Sequence, residues 1–204
     1  GYSPQNFDGL FRGELRVRTA LQHSLNIPAV SVTQALGPHH LIAGLRRAGA
    51  TPQVPGGAPG LAVALGGVGL TLQDLVGLYA AIGHGGVAVD LRVQAGPTDG
   101  FAPQTVMNRA AAWQIGNILA QTPRPRGVQA DGIAFKTGTS YGHRDAWALG
   151  FDGRYVVGVW MGRPDGTPVP GAFGGDLAAP VMFASFGRIA PTPTPLGPPP
   201  HETL

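Results

Sequence analysis

Lys136 is the only lysine in this 204-residue chain; the rest of its 14 Lys and Arg residues are arginine. It opens the run Lys136-Thr137-Gly138-Thr139-Ser140, directly after the apolar stretch Ile133-Ala134-Phe135. An ammonium can be brought near its pKa and can pass a proton, whereas a guanidinium stays charged under almost all conditions. A lone lysine in an arginine-rich chain therefore marks a position for proton chemistry. Gly138 lets a ligand backbone approach closely, and the hydroxyls of Thr137 and Thr139 offer donors to a carboxylate. The alternative at this spacing is a strand that ends in a hydroxyl-rich turn with Lys136 solvated.

A second candidate pair, Ser24 and Asn26, forms a Ser-x-Asn elbow. Its plain alternative is a helix-end serine followed by an asparagine that tolerates a turn conformation. Other residues carry weaker signals. His143 could reach the lip of a cleft or sit solvated in a loop. His39 and His40 are neighbours in sequence and so are not expected to share a helix face. With no cysteine and no carboxylate cluster near them, no metal site is predicted. Trp113, Trp147 and Trp160 lie on apolar-periodic segments and are assigned to the core. Arg144-Asp145 reads as a structural pair.

These residues need elements to hold them. Arg16 to Ser24 has helical spacing, and a second helix restarts after Pro28 and runs to Gly37-Pro38, so two helices flank the Ser-x-Asn elbow. A third spans His39 to Ala48. Pro52 to Gly60 is a loop, and Leu61 to Leu70 is a Gly-interrupted apolar stretch. Thr71-Leu72-Gln73-Asp74 forms a capping arrangement, with Asp in place of the usual Glu, that opens a helix through Ile82. Val87 to Val93 alternates at period two, and Arg109 to Ala120 is helical. Ile133 to Ser140, Ala146 to Phe151 and Tyr155 to Met161 form an antiparallel meander, its last two strands joined by Asp152-Gly153-Arg154. A last helix covers Ala178 to Ile189. The Pro and Thr alternation from Pro191 to Pro200 is expected to be an extended linker without a core, leading to a further module.

Composition bounds the function. Hydrophobic residues make up 43% of the chain, enough for a packed core despite 33 glycines and 20 prolines. The sequence pI of about 9.8 comes from arginines scattered singly or in pairs, which is a poor footprint for nucleic acid. No run of about 18 apolar residues occurs, and the start Gly1-Tyr2-Ser3-Pro4 has no signal-peptide pattern, so the chain is expected to be an excised piece.

Taken together, Ser-x-Asn followed by Lys-Thr-Gly supplies two of the three motifs, in order, of penicillin-binding proteins and class A β-lactamases, whose set is Ser-x-x-Lys, Ser-Asp-Asn and Lys-Thr-Gly. The flanking sequence resembles the transpeptidase domain of class A penicillin-binding proteins, nearest to their 1C subgroup. The matching segments are residues 2–8, 20–30, 64–69 and 135–140, together with Asp145-Ala146-Trp147-Ala148. The third motif is missing. A Ser-x-x-Lys ending at Lys136 would need serine at position 133, and that residue is Ile133. The acylated serine and its lysine are expected upstream of Gly1.

The resemblance implies an α+β fold, an αβα sandwich of the penicillin-binding-protein and β-lactamase type, with an antiparallel sheet flanked by helices and incomplete on its N-terminal side. Residues 1–190 would form the C-terminal part of a D,D-transpeptidase domain, and residues 191–204 the linker. It further implies that Ser24 relays a proton toward the leaving group, that Lys136 supports that relay, and that Asn26 hydrogen-bonds the donor peptide. Thr137, Gly138 and Thr139 would hold the terminal carboxylate of a D-alanyl-D-alanine stem peptide or a β-lactam, and the Thr139 N–H would give half of an oxyanion hole. No cofactor is implied. The implied parent is a membrane-anchored periplasmic peptidoglycan synthase that also carries a glycosyltransferase. A non-catalytic binding scaffold and a β-lactamase or carboxypeptidase of the same fold are the alternatives. The resemblance also implies that the last strand of the meander lacks one partner, leaving an open apolar edge.

Overall fold

A computed structural model describes residues 3–94, 96, 100–128 and 131–201; Tyr2 and residues 202–204, part of the expected match and linker, lie outside them. Three antiparallel strands, β1 (Ala134–Thr139), β2 (Asp145–Phe151) and β3 (Val156–Gly162), form one sheet in sequence order. The register pairs Lys136 with Leu149, Gly138 with Trp147, and Trp147 with Trp160. Because opposed residues share a face, one face carries Lys136, Gly138, Trp147 and Trp160, and the other carries Phe135, Thr137 and Thr139.

Helices cover both faces, as the αβα expectation requires. On the Phe135 face, α6 (Ala179–Ile189) contributes Met182, Phe183 and Phe186 to a cluster with Ile133, Phe135 and Ala148. On the other face, α4 (Leu72–Gly83) and α5 (Arg109–Ala120) pack around Phe151, Ala134 and Leu119. A smaller cluster of Ile42, Leu45, Ala50 and Val63 joins α3 (Pro38–Arg47) to a 3-10 turn at Leu61–Leu65. The elbow lies between α1 (Val17–Gln22) and α2 (Asn26–Leu36). Among the described residues β3 pairs with β2 alone, although α4 and α6 cover its two faces, so its outer edge is open.

The capping box predicted at Thr71 is present. Thr71 Oγ1 accepts from Asp74 N at 3.0 Å and Asp74 Oδ2 accepts from Thr71 N at 2.9 Å, so the shorter Asp reaches as a Glu would. Two expectations are corrected. Val87 to Val93 is not a strand: Val87 bridges to Thr105, and among the described residues the segment has no other ladder partner. The Pro-rich tail does have a core contact. Leu196 packs against the Phe151 cluster, Trp113 Nε1 donates to Gly197 O at 2.9 Å, and Gly153 N donates to Thr194 O at 2.8 Å. The buried Asp152 carboxylate accepts from the backbone N–H of Arg154, Tyr155 and Thr194 at 2.6–2.9 Å, tying the β2–β3 turn to the tail. A Cβ on Gly153 would fall 2.3 Å from Pro195 O, so the turn leaves room for the tail only as glycine.

Candidate active site

Helix α1 ends in a Schellman motif: Leu25 N donates to Ala20 O at 2.9 Å and Ser24 N to Leu21 O at 3.2 Å. The residue at the left-handed position of that motif is ordinarily glycine. Here it is Ser24, with φ of 51°, one of two non-glycine residues in this region among those described. The conformation costs a side-chain-bearing residue about 1–2 kcal/mol, and it turns the serine out of the helix. Buried Leu25 then anchors the elbow.

Lys136 Nζ donates to Ser24 Oγ across 112 positions of sequence, and to Thr137 O at 2.8 Å. Lys136 is half-buried, and burial pushes its pKa below the ordinary lysine value. No carboxylate pairs with it among the described residues. The lysine is therefore held by a hydroxyl and a carbonyl, which accept from the ammonium without neutralising its charge. Such a lysine can share its proton with Ser24 Oγ.

Ser140 N donates to Asp145 O at 3.0 Å, so alternation along β1 turns the backbone N–H and C=O of Thr137 and Thr139 away from β2, toward the unpaired edge of the sheet. Thr139 is exposed there and Thr137 half-buried. Asn26 opens α2, two residues before the start expected from Pro28, and Pro28 falls in the first turn, where no intrahelical N–H is lost. Its amide Nδ2 donates to Gln5 O at 2.8 Å, and its Oδ1 accepts no hydrogen bond among the described residues.

The weaker candidates resolve differently. His143 follows β1 with φ of 56°; its ring packs edge-on against Phe173 at 4.7 Å and its Nδ1 is buried without a partner. The His39 and His40 rings lie 4.5 Å apart despite their adjacency, since side-chain rotation closes the step between successive helical positions. No group of three or more His, Cys, Asp or Glu able to hold a metal occurs among the described residues. Asp145 pairs with Trp160 Nε1 at 2.8 Å and not with Arg144, which is exposed. All three tryptophans are half-buried, not core, and Trp147 and Trp160 lie 6.1 Å apart on the Lys136 face.

Two supporting residues carry no motif of their own. Asn6, only 5% exposed, accepts from Ile27 N at 3.2 Å and so caps α2 from a distance of 21 residues. Gly174 N donates to Thr139 Oγ1 at 3.1 Å. Nothing local in the sequence signals either, because each acts through a contact made only in the folded chain.

The model of the penicillin binding protein transpeptidase domain matches residues 5–182. The chain belongs to that family. It is 45% identical over 186 residues to penicillin-binding protein 1C of Escherichia coli K12, covering 89% of this chain and 24% of that protein. Against penicillin-binding protein 1B of Vibrio cholerae the identity is 29%, over 82% of this chain and 23% of the relative. The crystal structure of penicillin-binding protein 1A from Haemophilus influenzae superposes with a TM-score of 0.78 at 20% identity, over 98% of this chain and 38% of that one. The transpeptidase fold is thereby established. The chain spans about a quarter of the length of these curated relatives.

Proposed function

We propose that this chain supplies the Ser-x-Asn and Lys-Thr-Gly side of a D,D-transpeptidase site that crosslinks peptidoglycan stem peptides by serine acyl transfer and binds penicillin. The observation that carries this reading is the Lys136 to Ser24 hydrogen bond, which joins two distant motifs into one groove. The open edge of β1 supports it, since an extended peptide can add there as a strand and take its main-chain hydrogen bonds from Thr137 and Thr139.

In this reading Ser24 carries a proton toward the leaving group, and Lys136, its pKa lowered by burial, keeps that relay poised. Thr137 and Thr139 hold the terminal carboxylate of a D-alanyl-D-alanine peptide or a β-lactam across Gly138. The Thr139 N–H gives one half of an oxyanion hole, an interaction worth a few kcal/mol of barrier. Asn26 Oδ1, free of protein donors among the described residues, accepts from a peptide N–H of the substrate. The nucleophile belongs to a Ser-x-x-Lys segment, which this chain does not contain, so the chain alone binds and does not acylate. The remaining length of the relatives leaves room for that segment, a periplasmic membrane anchor and a glycosyltransferase in the whole protein, and the Pro-rich tail leads to a further module.

A chemical-shift titration with an N-acyl-D-alanyl-D-alanine peptide tests this. Perturbations centred on Ser24 and residues 136–140, absent with the L,L isomer, are expected. Shifts confined to another face, or equal responses to both isomers, would contradict it.

A further inference from the structure

The Thr139 hydroxyl, at the open edge of β1, is held from behind by the loop after β3 and the π-helical turn Gly174–Ala178 in which it ends, neither of which the motifs include. Gly174 N donates to Thr139 Oγ1 at 3.1 Å, and the same loop is tied to the turn after β1 by Val169 N, which donates to His143 O at 2.9 Å. Phe173 wedges between two rings, His143 at 4.7 Å and Phe7 at 5.8 Å, both edge-on. Gly174 itself is buried, and a Cβ there would lie 2.3 Å from Gly138 O and 2.5 Å from Trp147 O. Both are backbone atoms of paired strands, so no side chain can be accommodated without moving the loop off the sheet.

A hydroxyl has one proton and two acceptor positions. With one acceptor position filled by an N–H from the loop, the Thr139 proton cannot point toward that loop, and its remaining rotor positions lie on the solvent side. We infer that Gly174 is a positioning residue for carboxylate recognition: its backbone N–H fixes Thr139 Oγ1 as an acceptor on the loop side and so commits the hydroxyl proton to the groove. The hydroxyl is then a donor turned toward the groove before the ligand arrives, and less rotor freedom is lost on binding. When it donates to a carboxylate, its oxygen becomes a better acceptor and the Gly174 N–H bond strengthens with it.

This inference rests on the reading of the groove as a carboxylate site, and the test separates the two. Affinities of the whole chain for an N-acyl-D-alanyl-D-alanine peptide and for its C-terminal amide are measured by chemical-shift titration. One hydrogen bond to a charged acceptor favours the acid roughly tenfold or more. Gly174→Ala is expected to lower that preference several-fold, close to the value of Thr139→Val, and the double variant to lower it no further. In the wild type, where folding of a variant is not at issue, the Gly174 amide signal should move with the acid and stay still with the amide. A wild type without preference for the acid overturns the carboxylate reading itself. A wild type that prefers the acid, with a Gly174 amide that ignores it or a folded Gly174→Ala that keeps the full preference, overturns only the role of Gly174.

Discussion

Ser24 and Lys136 show how the site is built from residues that the fold tolerates at a cost. Ser24 occupies the glycine position of a Schellman motif, and Lys136 is a cation half-buried without a carboxylate. Both departures are best explained by the bond between them. Ser24→Gly and Ser24→Ala each remove the hydroxyl, but only glycine relieves the left-handed conformation. Denaturation midpoints should therefore show Ser24→Gly more stable than Ser24→Ala by about 1 kcal/mol; equal stabilities would mean that the elbow is not held in this conformation. Lys136 can be followed directly, because selective lysine labelling gives one signal. It should titrate below the free value of about 10.4. Its folded pKa is the lower one, so between the two values the unfolded chain binds more protons and stability rises with pH across that window. Lys136→Met should abolish this rise, and a titration at or above 10.4 would refute the buried setting. The type of each residue was legible in the sequence. Their contact was not, since no local pattern encodes a meeting across 112 positions.

Elements whose signals are local could be read directly. The Thr71 box, the helix Arg109–Ala120 and the three-strand meander each depend on neighbours within a few residues, and they appear where spacing and capping put them. The Val87 to Val93 alternation misled because a strand also needs a partner, which periodicity does not report. The tail misled in the opposite sense. Prolines forbid regular hydrogen bonding within the segment, but Thr194 and Gly197 still bond to Asp152, Gly153 and Trp113, and Leu196 still finds apolar cover. Removing residues 191–204 should cost on the order of 2–4 kcal/mol, from lost hydrogen bonds, the exposed Leu196 contact and a stranded Asp152 carboxylate. Chemical denaturation of the two lengths measures it. Identical midpoints would show that the tail is a free linker.

At the scale of the whole molecule, the sheet is covered on both faces and open at both edges among the described residues. One edge, along β1, carries the groove; the other, along β3, is apolar and faces no strand among the described residues. The family followed from two motifs with their flanks, and the three-layer class from that resemblance; the order of elements by itself gave only the helices and the meander. The missing Ser-x-x-Lys was equally legible, as Ile133 stands where its serine would be. The central claim is that this chain organises a penicillin site whose nucleophile it does not contain. Intact-mass spectrometry after incubation with a β-lactam tests it most directly, on the chain alone and on the chain joined upstream to a transpeptidase segment that carries a Ser-x-x-Lys motif. The account predicts no adduct on the chain alone. Joined, it predicts a single acyl adduct on the serine of the added segment, formed at least tenfold more slowly when Lys136 is replaced by Met. An adduct on Ser24 or Ser140 of the chain alone, or acylation of the joined protein at an unchanged rate without Lys136, would contradict it.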